Sequence, residues 1–459
     1  MEEMKTWSVC PVCRKRIPAE RVTEDGAVRL VKTCPEHGSF SSILWRGLMD
    51  YAAWRGEIPL LSEEKCRRCA SCAGLCADHL RNTCCVLLEV TKRCNMHCSF
   101  CFAEADSPES RRRDLNTEQL KARIFDLTIP GKTLLQLSGG EPTVREDLPE
   151  LISFAIKCGC RYVQLNTNGI RLAGDPSYAK SLAEAGLSFV FLQFDGLDDK
   201  IYRKLRGRDL LEIKLSAIEN CKKACLGVTL VPVIVPGVNE DAIGEIIRFG
   251  AEHSPAVRGV HFQPVSYFGR APHGPEDRDR FTLDELLSAI FAQSEGLVKP
   301  GMLGPSCCDH PMCGLHGDFI VMPDKSLYPL THWTGVQRRQ QDETPEKEGQ
   351  DRTAERGPAL PEKDPAEQNR EFIGRRWKRP DEETPAGNGA APEESSAEER
   401  KALDMTDMDT FLARARSHGF TITSMNFQDA WNLDMERLVR CSLHVYRDGR
   451  LVPFCANYL

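Results

Sequence analysis

The stretch Val86-Leu-Leu-Glu-Val-Thr91, followed at once by Lys-Arg-Cys94-Asn-Met-His-Cys98-Ser-Phe100-Cys101-Phe102, decides how this chain is read. Its first half is a short apolar run of the kind that forms a buried strand. Its second half sets three cysteines in C-x3-C-x2-C spacing on the loop leaving that strand. Three thiolates on one tight loop suit three irons of a [4Fe–4S] cube, whose full cysteine ligation uses four. The missing ligand leaves one iron open, as a catalytic metal site keeps an empty position. A zinc knuckle is the competing reading. It calls for C-x2-C pairs and a fourth ligand, and His97 lies awkwardly for joint ligation between Cys94 and Cys98.

Outward from this motif, five further apolar runs recur, at 133–138, 162–166, 189–194, 228–235 and 260–265, each followed by polar or glycine-containing residues. Amphipathic stretches such as 148–157 and 178–185 separate them. Near-continuously apolar strands alternating with helices predict an α/β fold with a parallel sheet covered on its faces. Six units fit a partial (β/α)6 barrel, with a doubly wound sheet as the alternative. In either, chemistry collects at the C-terminal ends of the strands.

The cysteine motif, with Phe100 just before Cys101, resembles the signature of the radical S-adenosylmethionine (SAM) superfamily. Ser138-Gly139-Gly140-Glu141-Pro142-Thr143, after the second strand, resembles the GGEP motif of that family. The resemblance implies that Cys94, Cys98 and Cys101 hold the catalytic cluster and that its open iron chelates SAM. It also implies that the Gly139–Pro142 motif contacts the SAM amino group, with glycines that let backbone approach a ligand. Asn166 and Asn168 on the third strand end suit ribose hydroxyls, and Asp195 in Gln193-Phe-Asp195-Gly196 is expected to point into the barrel mouth. Val235, in Val235-Pro-Gly-Val-Asn239, is similar to the part of the family that lines adenine.

Twenty-one cysteines, twelve of them before residue 102, fit metal ligation better than disulfides in a chain without an apolar leader in MEEMKTWSVCPVCRKRIPAE. Cys10, Cys13, Cys34 and His37 form a C-x2-C-x20-C-x2-H set for one zinc or one mononuclear iron. Cys66, Cys69, Cys72 and Cys76 have the C-x2-C-x2-C-x3-C spacing of ferredoxin clusters, predicting an auxiliary [4Fe–4S] cluster; Cys84 and Cys85 follow. Near the end of the chain, Asp448-Gly449 is a hairpin signal that brings Cys441 toward Cys455. Cys313-Gly-Leu-His316 weakly echoes Cys441-Ser-Leu-His444, so Cys313, Cys441 and Cys455 are expected at a second auxiliary cluster, with Cys307 and Cys308 nearby.

The expected organisation is a metal knuckle over 1–62, a cysteine-rich segment over 63–85 and a barrel over 86–300. A cysteine/histidine hairpin region over 301–336, a disordered insertion over 337–402 and a C-terminal helix and hairpin over 403–459 complete it. The insertion is rich in Glu, Arg, Pro and Gly. The net charge of −7 leaves no electrostatic footprint for nucleic acid, and the longest apolar run is far below the ~20 residues of a membrane span, so a cytoplasmic protein is expected. The whole layout resembles the tetraether lipid synthase-type branch and, more closely, the TrsS-type radical SAM (seleno)protein group. The resemblance implies an enzyme that cleaves SAM to a 5′-deoxyadenosyl radical and attacks an unactivated C–H bond, by carbon–carbon coupling or methylation of a lipid or small molecule. Its electron donor would be a flavodoxin or ferredoxin. Peptide maturation is the second reading. A non-catalytic iron–sulfur electron carrier is the third, and the strand-end motifs argue against it.

Overall fold

The computed structural model of the chain describes residues 3–58, 75, 79–105, 114–335, 364–379 and 407–459. Four N-terminal strands, β1 (Glu3–Val9), β2 (Arg16–Glu24), β3 (Ala27–Cys34) and β4 (Gly38–Trp45), form an antiparallel meander in chain order. Alternation along β2 and β3 buries Ile17, Ala19, Val28 and Leu30. The meander is fastened to the rest of the molecule by buried charge: Arg21 lies between Asp434 (3.2 Å) and Glu436, and Arg55 joins Glu436 at 2.7 Å. Charges this deep are tolerated because each is paired.

The barrel strands follow as β5 (Cys85–Thr91), β6 (Leu134–Gly139), β7 (Tyr162–Thr167), β8 (Phe189–Gln193), β9 (Gly227–Val231), the short β10 (Val233–Ile234) and β11 (Val257–Pro264). β5 through β9 pair side by side in parallel and β11 continues the sheet beside β9. Helices lie between them, and one shows the logic: in Leu148–Lys157 the buried Leu148, Leu151, Ile152 and Ala155 repeat at helical spacing and face the sheet. Each buried Leu or Ile contributes ~1.5–3 kcal/mol.

Six parallel strands were expected; among the described residues the sheet has eight, counting β10 as the continuation of β9. After the edge strands β12 (Gly304–Pro305), β13 (Leu315–Val321) and β14 (Leu327–Pro329) come β15 (Gly419–Ser424), parallel to β11, and β16 (Leu443–Arg447), parallel to β5; β17 (Arg450–Pro453) closes a hairpin on β16. The expected C-terminal helix spans Met408–Ser417, and Gly419 starts a strand that was not expected. A six-residue run has no periodicity that separates it from the end of a helix, which is why β15 was missed. Across the remaining gap Asp309 Oδ1 accepts hydrogen bonds from Ser442 N (2.6 Å) and Ser442 Oγ (2.8 Å), joining the loop before β13 to the start of β16.

The expected disordered insertion over 337–402 contains a helix, Pro365–Trp377, packed on β9, β11 and β15. Composition misjudged it because few of its residues are apolar; Ala366 and Trp377 are buried, and arginine contacts to backbone carbonyls do the rest. The remainder of 337–402 lies outside the described residues. No described helix is long and apolar enough to cross a membrane.

Candidate functional site

A cavity of about 340 Å³ runs through the barrel, and Cys94, Cys98 and Cys101 line it. Their loop leaves β5 and is held from several sides. Arg270 Nε donates to Cys98 O (2.8 Å), Cys101 and Arg270 exchange a pair of backbone hydrogen bonds at 2.9 Å, and Ser99 N donates to Leu205 O (3.2 Å). Phe100 packs edge-on to Tyr267, and Met96 is buried against Tyr202 and Leu210. Burial pushes the Cys94 thiol up to about 12, so a thiolate there calls for a cation beside it. Among the described residues, only Cys10, Cys13, Cys34 and His37 bring three or more donors within 4.8 Å of one another. The triad's donors are not gathered that closely, and thiolates on separate corners of a cube do not call for it.

The glycines of the second motif serve the cysteine loop itself. A Cβ at Gly139 would lie 2.2 Å from Thr91 O, and one at Gly140 would lie 2.1 Å from Arg93 O. Gly140 N and Glu141 N donate to those same carbonyls at 2.8 Å, so the motif's backbone also packs against the cysteine loop. Glu141 has a bracing role as well. Its buried carboxylate accepts from Thr143 N (3.0 Å), Thr143 Oγ1 (2.6 Å), Thr167 Oγ1 (2.7 Å) and Asn168 N (2.6 Å). It braces two strand-end loops. Pro142 opens a short turn and, unlike Phe100, Gly139, Gly140, Glu141, Asn166 and Asn168, does not line the cavity.

Asp195 was expected to point into the mouth, but it is fully buried outside the cavity lining. Arg206 grips it through two bonds of 2.7 Å, and it is Arg206 and Gln193 that reach the cavity. A carboxylate this deep needs a charged partner, and sequence spacing gives no sign of one eleven residues on. Val235 packs with Leu205, Val265 and Tyr267, whereas Val233 faces the cavity. Asn168 Nδ2 donates to Asn95 Oδ1 (2.7 Å), and its carbonyl accepts from Lys214 Nζ (2.5 Å). Lys214 also donates to Gln193 Oε1 (2.9 Å), and burial pushes its amine down to about 7.

Residues that sequence reasoning passed over make up most of the wall. Gln136, Gln164, Asn166, Gln193 and Gln263 present uncharged amides from β6, β7, β8 and β11, with His261 and Thr423 beside them. The signal was available: in strands otherwise apolar, these polar residues recur at every second position, the inward period of a barrel strand. His261 Nδ1 lies 2.8 Å from Thr423 Oγ1, and burial pushes the imidazole down to about 4, so it is neutral at ordinary pH. Phe191, Phe372 and Trp377 form an aromatic end to the cavity, close to Cys84, Cys85, Cys307 and Cys308.

Three further donor sets were expected. At the turns of the meander, His37 Nδ1 lies 3.7 Å from Cys10 Sγ and 3.5 Å from Cys34 Sγ, and Cys13 and Cys34 Sγ are 4.0 Å apart. Burial raises the Cys10 thiol, but hydrogen bonds from Cys13 and Val12 outweigh it and leave it at about 7. Three sulfurs and one nitrogen this close together suit one tetrahedral ion. Cys66, Cys69, Cys72 and Cys76 lie outside the described residues. Cys313, Cys441 and Cys455 line one small cavity with Arg437, whose buried Nε has no hydrogen-bond partner, and Gln428 N donates to Cys455 Sγ (3.3 Å).

Comparison with known proteins adds to this geometry. The radical SAM superfamily model matches residues 88–250, and the HMPTM N-terminal zinc ribbon domain model matches residues 3–46. The chain is 34% identical to the 7,8-dihydro-6-hydroxymethylpterin dimethyltransferase of Methanocaldococcus jannaschii over 99% of this chain and 93% of that one. It is 39% identical to the Fe-coproporphyrin III synthase of Methanosarcina barkeri over 32% of this chain and 35% of that one. The crystal structure of Streptococcus suis SuiB is similar over 46% of this chain and 45% of that chain, at 17% identity and a TM-score of 0.36.

Proposed function

Given that the chain belongs to the radical SAM superfamily, we propose that it methylates a planar, uncharged nitrogen heterocycle of the dihydropterin class held among the barrel amides. That it is an enzyme, and one that needs an electron donor and a substrate, follows from the family; the electron-carrier reading is set aside. The observation that carries the substrate class is the cavity wall. Five amides and a neutral imidazole line it, and the charged groups that reach it, Glu141, Arg206 and Asp309, are each already partnered within the protein, with aromatic rings at one end. Such a wall matches ring nitrogens, an amino group and a carbonyl, and leaves its own polar groups unpaired around an alkyl chain. A lipid substrate is disfavoured for that reason. The relative that matches almost the whole chain is named for a dihydropterin, which agrees.

Cys94, Cys98 and Cys101 would hold the cluster. When bound, it supplies the electron that splits SAM into a radical able to take hydrogen from an unactivated carbon. The chain's own residues do the positioning. Arg270 and the Gly139–Gly140 backbone fix the cysteine loop, and Glu141 ties it to the Asn168 loop. Phe100, Met96 and Phe102 form an apolar wall beside the triad that keeps water from it. Lys214 holds Gln193 in the wall, and Arg206 holds Asp195 behind it. Cys10, Cys13, Cys34 and His37 would hold one zinc ion, and Cys313, Cys441 and Cys455 an auxiliary cluster. A reduced ferredoxin or flavodoxin would be the electron donor.

The test is anaerobic turnover of the reconstituted protein with SAM, a reductant and 7,8-dihydro-6-hydroxymethylpterin, followed by mass spectrometry. The expected products are 5′-deoxyadenosine and methionine from one SAM, S-adenosylhomocysteine from a second SAM that gives up its methyl group, and pterin carrying one or two added methyl groups, the reductant supplying two electrons per methyl. Deoxyadenosine and methylated pterin should both vanish when Cys94, Cys98 and Cys101 are all replaced by Ser. Deoxyadenosine formed while the pterin is returned unchanged would reject the substrate class.

A further inference from the structure

We propose that the helix Pro365–Trp377 is the floor of the substrate chamber and that Trp377 sets how long an occupant the chamber accepts. This rests on the reading of the cavity as a heterocycle site. The helix contributes Asn369, Phe372, Ile373 and Trp377 to the cavity wall, at the aromatic end that also holds Leu134, the first residue of β6. The strands β6, β8 and β9 begin there, so the helix closes the end of the barrel that lies away from Cys94, Cys98 and Cys101.

The closure is a fixed one. Trp377 Nε1 donates to Thr421 Oγ1 (2.8 Å), and its ring lies 4.7 Å from Phe191 and 5.5 Å from Phe189. Arg376 pairs with Asp318 (2.7 Å), Arg258 Nε donates to Arg376 O (2.6 Å), and Arg370 bonds the Thr83 carbonyl. Asn369 Nδ2 donates to Cys84 Sγ (3.2 Å). Glycines mark the tightness of the fit: a Cβ at Gly374 would lie 1.9 Å from the Tyr162 ring, and one at Gly227 2.1 Å from Trp377 O. A helix anchored at both ends by side chains and backbone does not yield to a longer ligand. An occupant reaching from the triad meets the Trp377 ring, beside which Phe191 lies tilted at 60° and the neutral His261 stands 5.4 Å from Phe191. Ring size and the length of a ring substituent are thus limited from below by one side chain.

The experiment measures equilibrium dialysis of a ladder of planar heterocycles on the anaerobically reconstituted full-length protein: xanthine, 7,8-dihydro-6-hydroxymethylpterin, 7,8-dihydroneopterin and riboflavin. Wild type and Trp377→Phe should bind the short members and refuse the long ones. Trp377→Ala should move the cut-off by at least one member, with a tenfold or greater gain for the longer ring and a loss for the shorter. Ile373→Ala, which shortens the same wall while keeping every anchor of Trp377, should shift the cut-off in the same direction if Trp377→Ala does not fold. A shifted cut-off among non-pterin members would uphold the floor while rejecting the pterin. An unshifted cut-off, or no binding by any member to any of these proteins, overturns the floor.

Discussion

Replacing Glu141 by Gln separates two roles that the motif alone leaves equal. If the carboxylate mainly held SAM, Gln would weaken SAM binding and spare the fold. The structure instead shows one oxygen accepting from Thr143 N, Thr143 Oγ1 and Thr167 Oγ1, and the other accepting from Asn168 N at 2.6 Å. A glutamine can keep its carbonyl on only one side. With the oxygen on the threonines, its amide faces the Asn168 N–H, so a charge-assisted bond of ~1.5–3 kcal/mol is lost. Two buried donors are then left opposed at ~1–3 kcal/mol more. Together this is a loss of roughly 2.5–6 kcal/mol at a residue 2% exposed. Even at ~2 °C per kcal/mol, Tm should fall by ~5 °C or more. The assay is anaerobic thermal unfolding followed by far-ultraviolet circular dichroism, beside SAM binding by equilibrium dialysis. A variant that melts within ~1 °C of wild type yet binds SAM tenfold more weakly would refute the brace.

Gly140→Ala should lower deoxyadenosine formation by at least tenfold, ~1.4 kcal/mol of barrier, because the new methyl would sit 2.1 Å from the Arg93 carbonyl and displace the cysteine loop; unchanged turnover would show that the loop yields. Cys34→Ala should remove one zinc per chain by elemental analysis and leave the iron of the triad in place, since the two sets share no ligand. Lys214 gives a pH signature. Its amine titrates near 7 folded against an ordinary 10.5, so the unfolded chain binds more protons between those values and stability rises with pH across that window. Denaturation midpoints should therefore show wild type gaining on Lys214→Met by up to ~4 kcal/mol from pH 7 to pH 10, and parallel pH profiles would count against a buried neutral amine. His261→Phe should raise the KM for the heterocycle and leave substrate-free SAM cleavage unchanged, as the neutral imidazole lies in the amide wall and not at the triad.

The six barrel strands and the cysteine loop were legible in the sequence because each carries a local pattern: an apolar run, a turn, a fixed cysteine spacing. What escaped was information held between distant residues. The partner of Asp195 is Arg206 on a following helix, and the Glu141 acceptors are filled from Thr167 and Asn168 on another strand end. No local window contains such pairs. β15 and β16 are too short to declare their direction, and they become parallel strands only because β11 and β5 offer them an edge. The helix Pro365–Trp377 escaped for a different reason. Its attachment is made by arginines reaching backbone carbonyls, which composition counts as solvated charge.

The pairing of β16 with β5 has a consequence for how the enzyme is made. The strand that carries the cysteine loop is made before residues 92–442, while its neighbour, with the Phe454 and Tyr458 rings that rest 5.7 Å and 5.1 Å from Phe102, is made after them. Until that neighbour is in place, the three thiols stand beside an unfilled edge. Iron delivered during that interval would meet a half-walled pocket, so the productive order is to seat β16 and the rings beyond it, and only then load the metal.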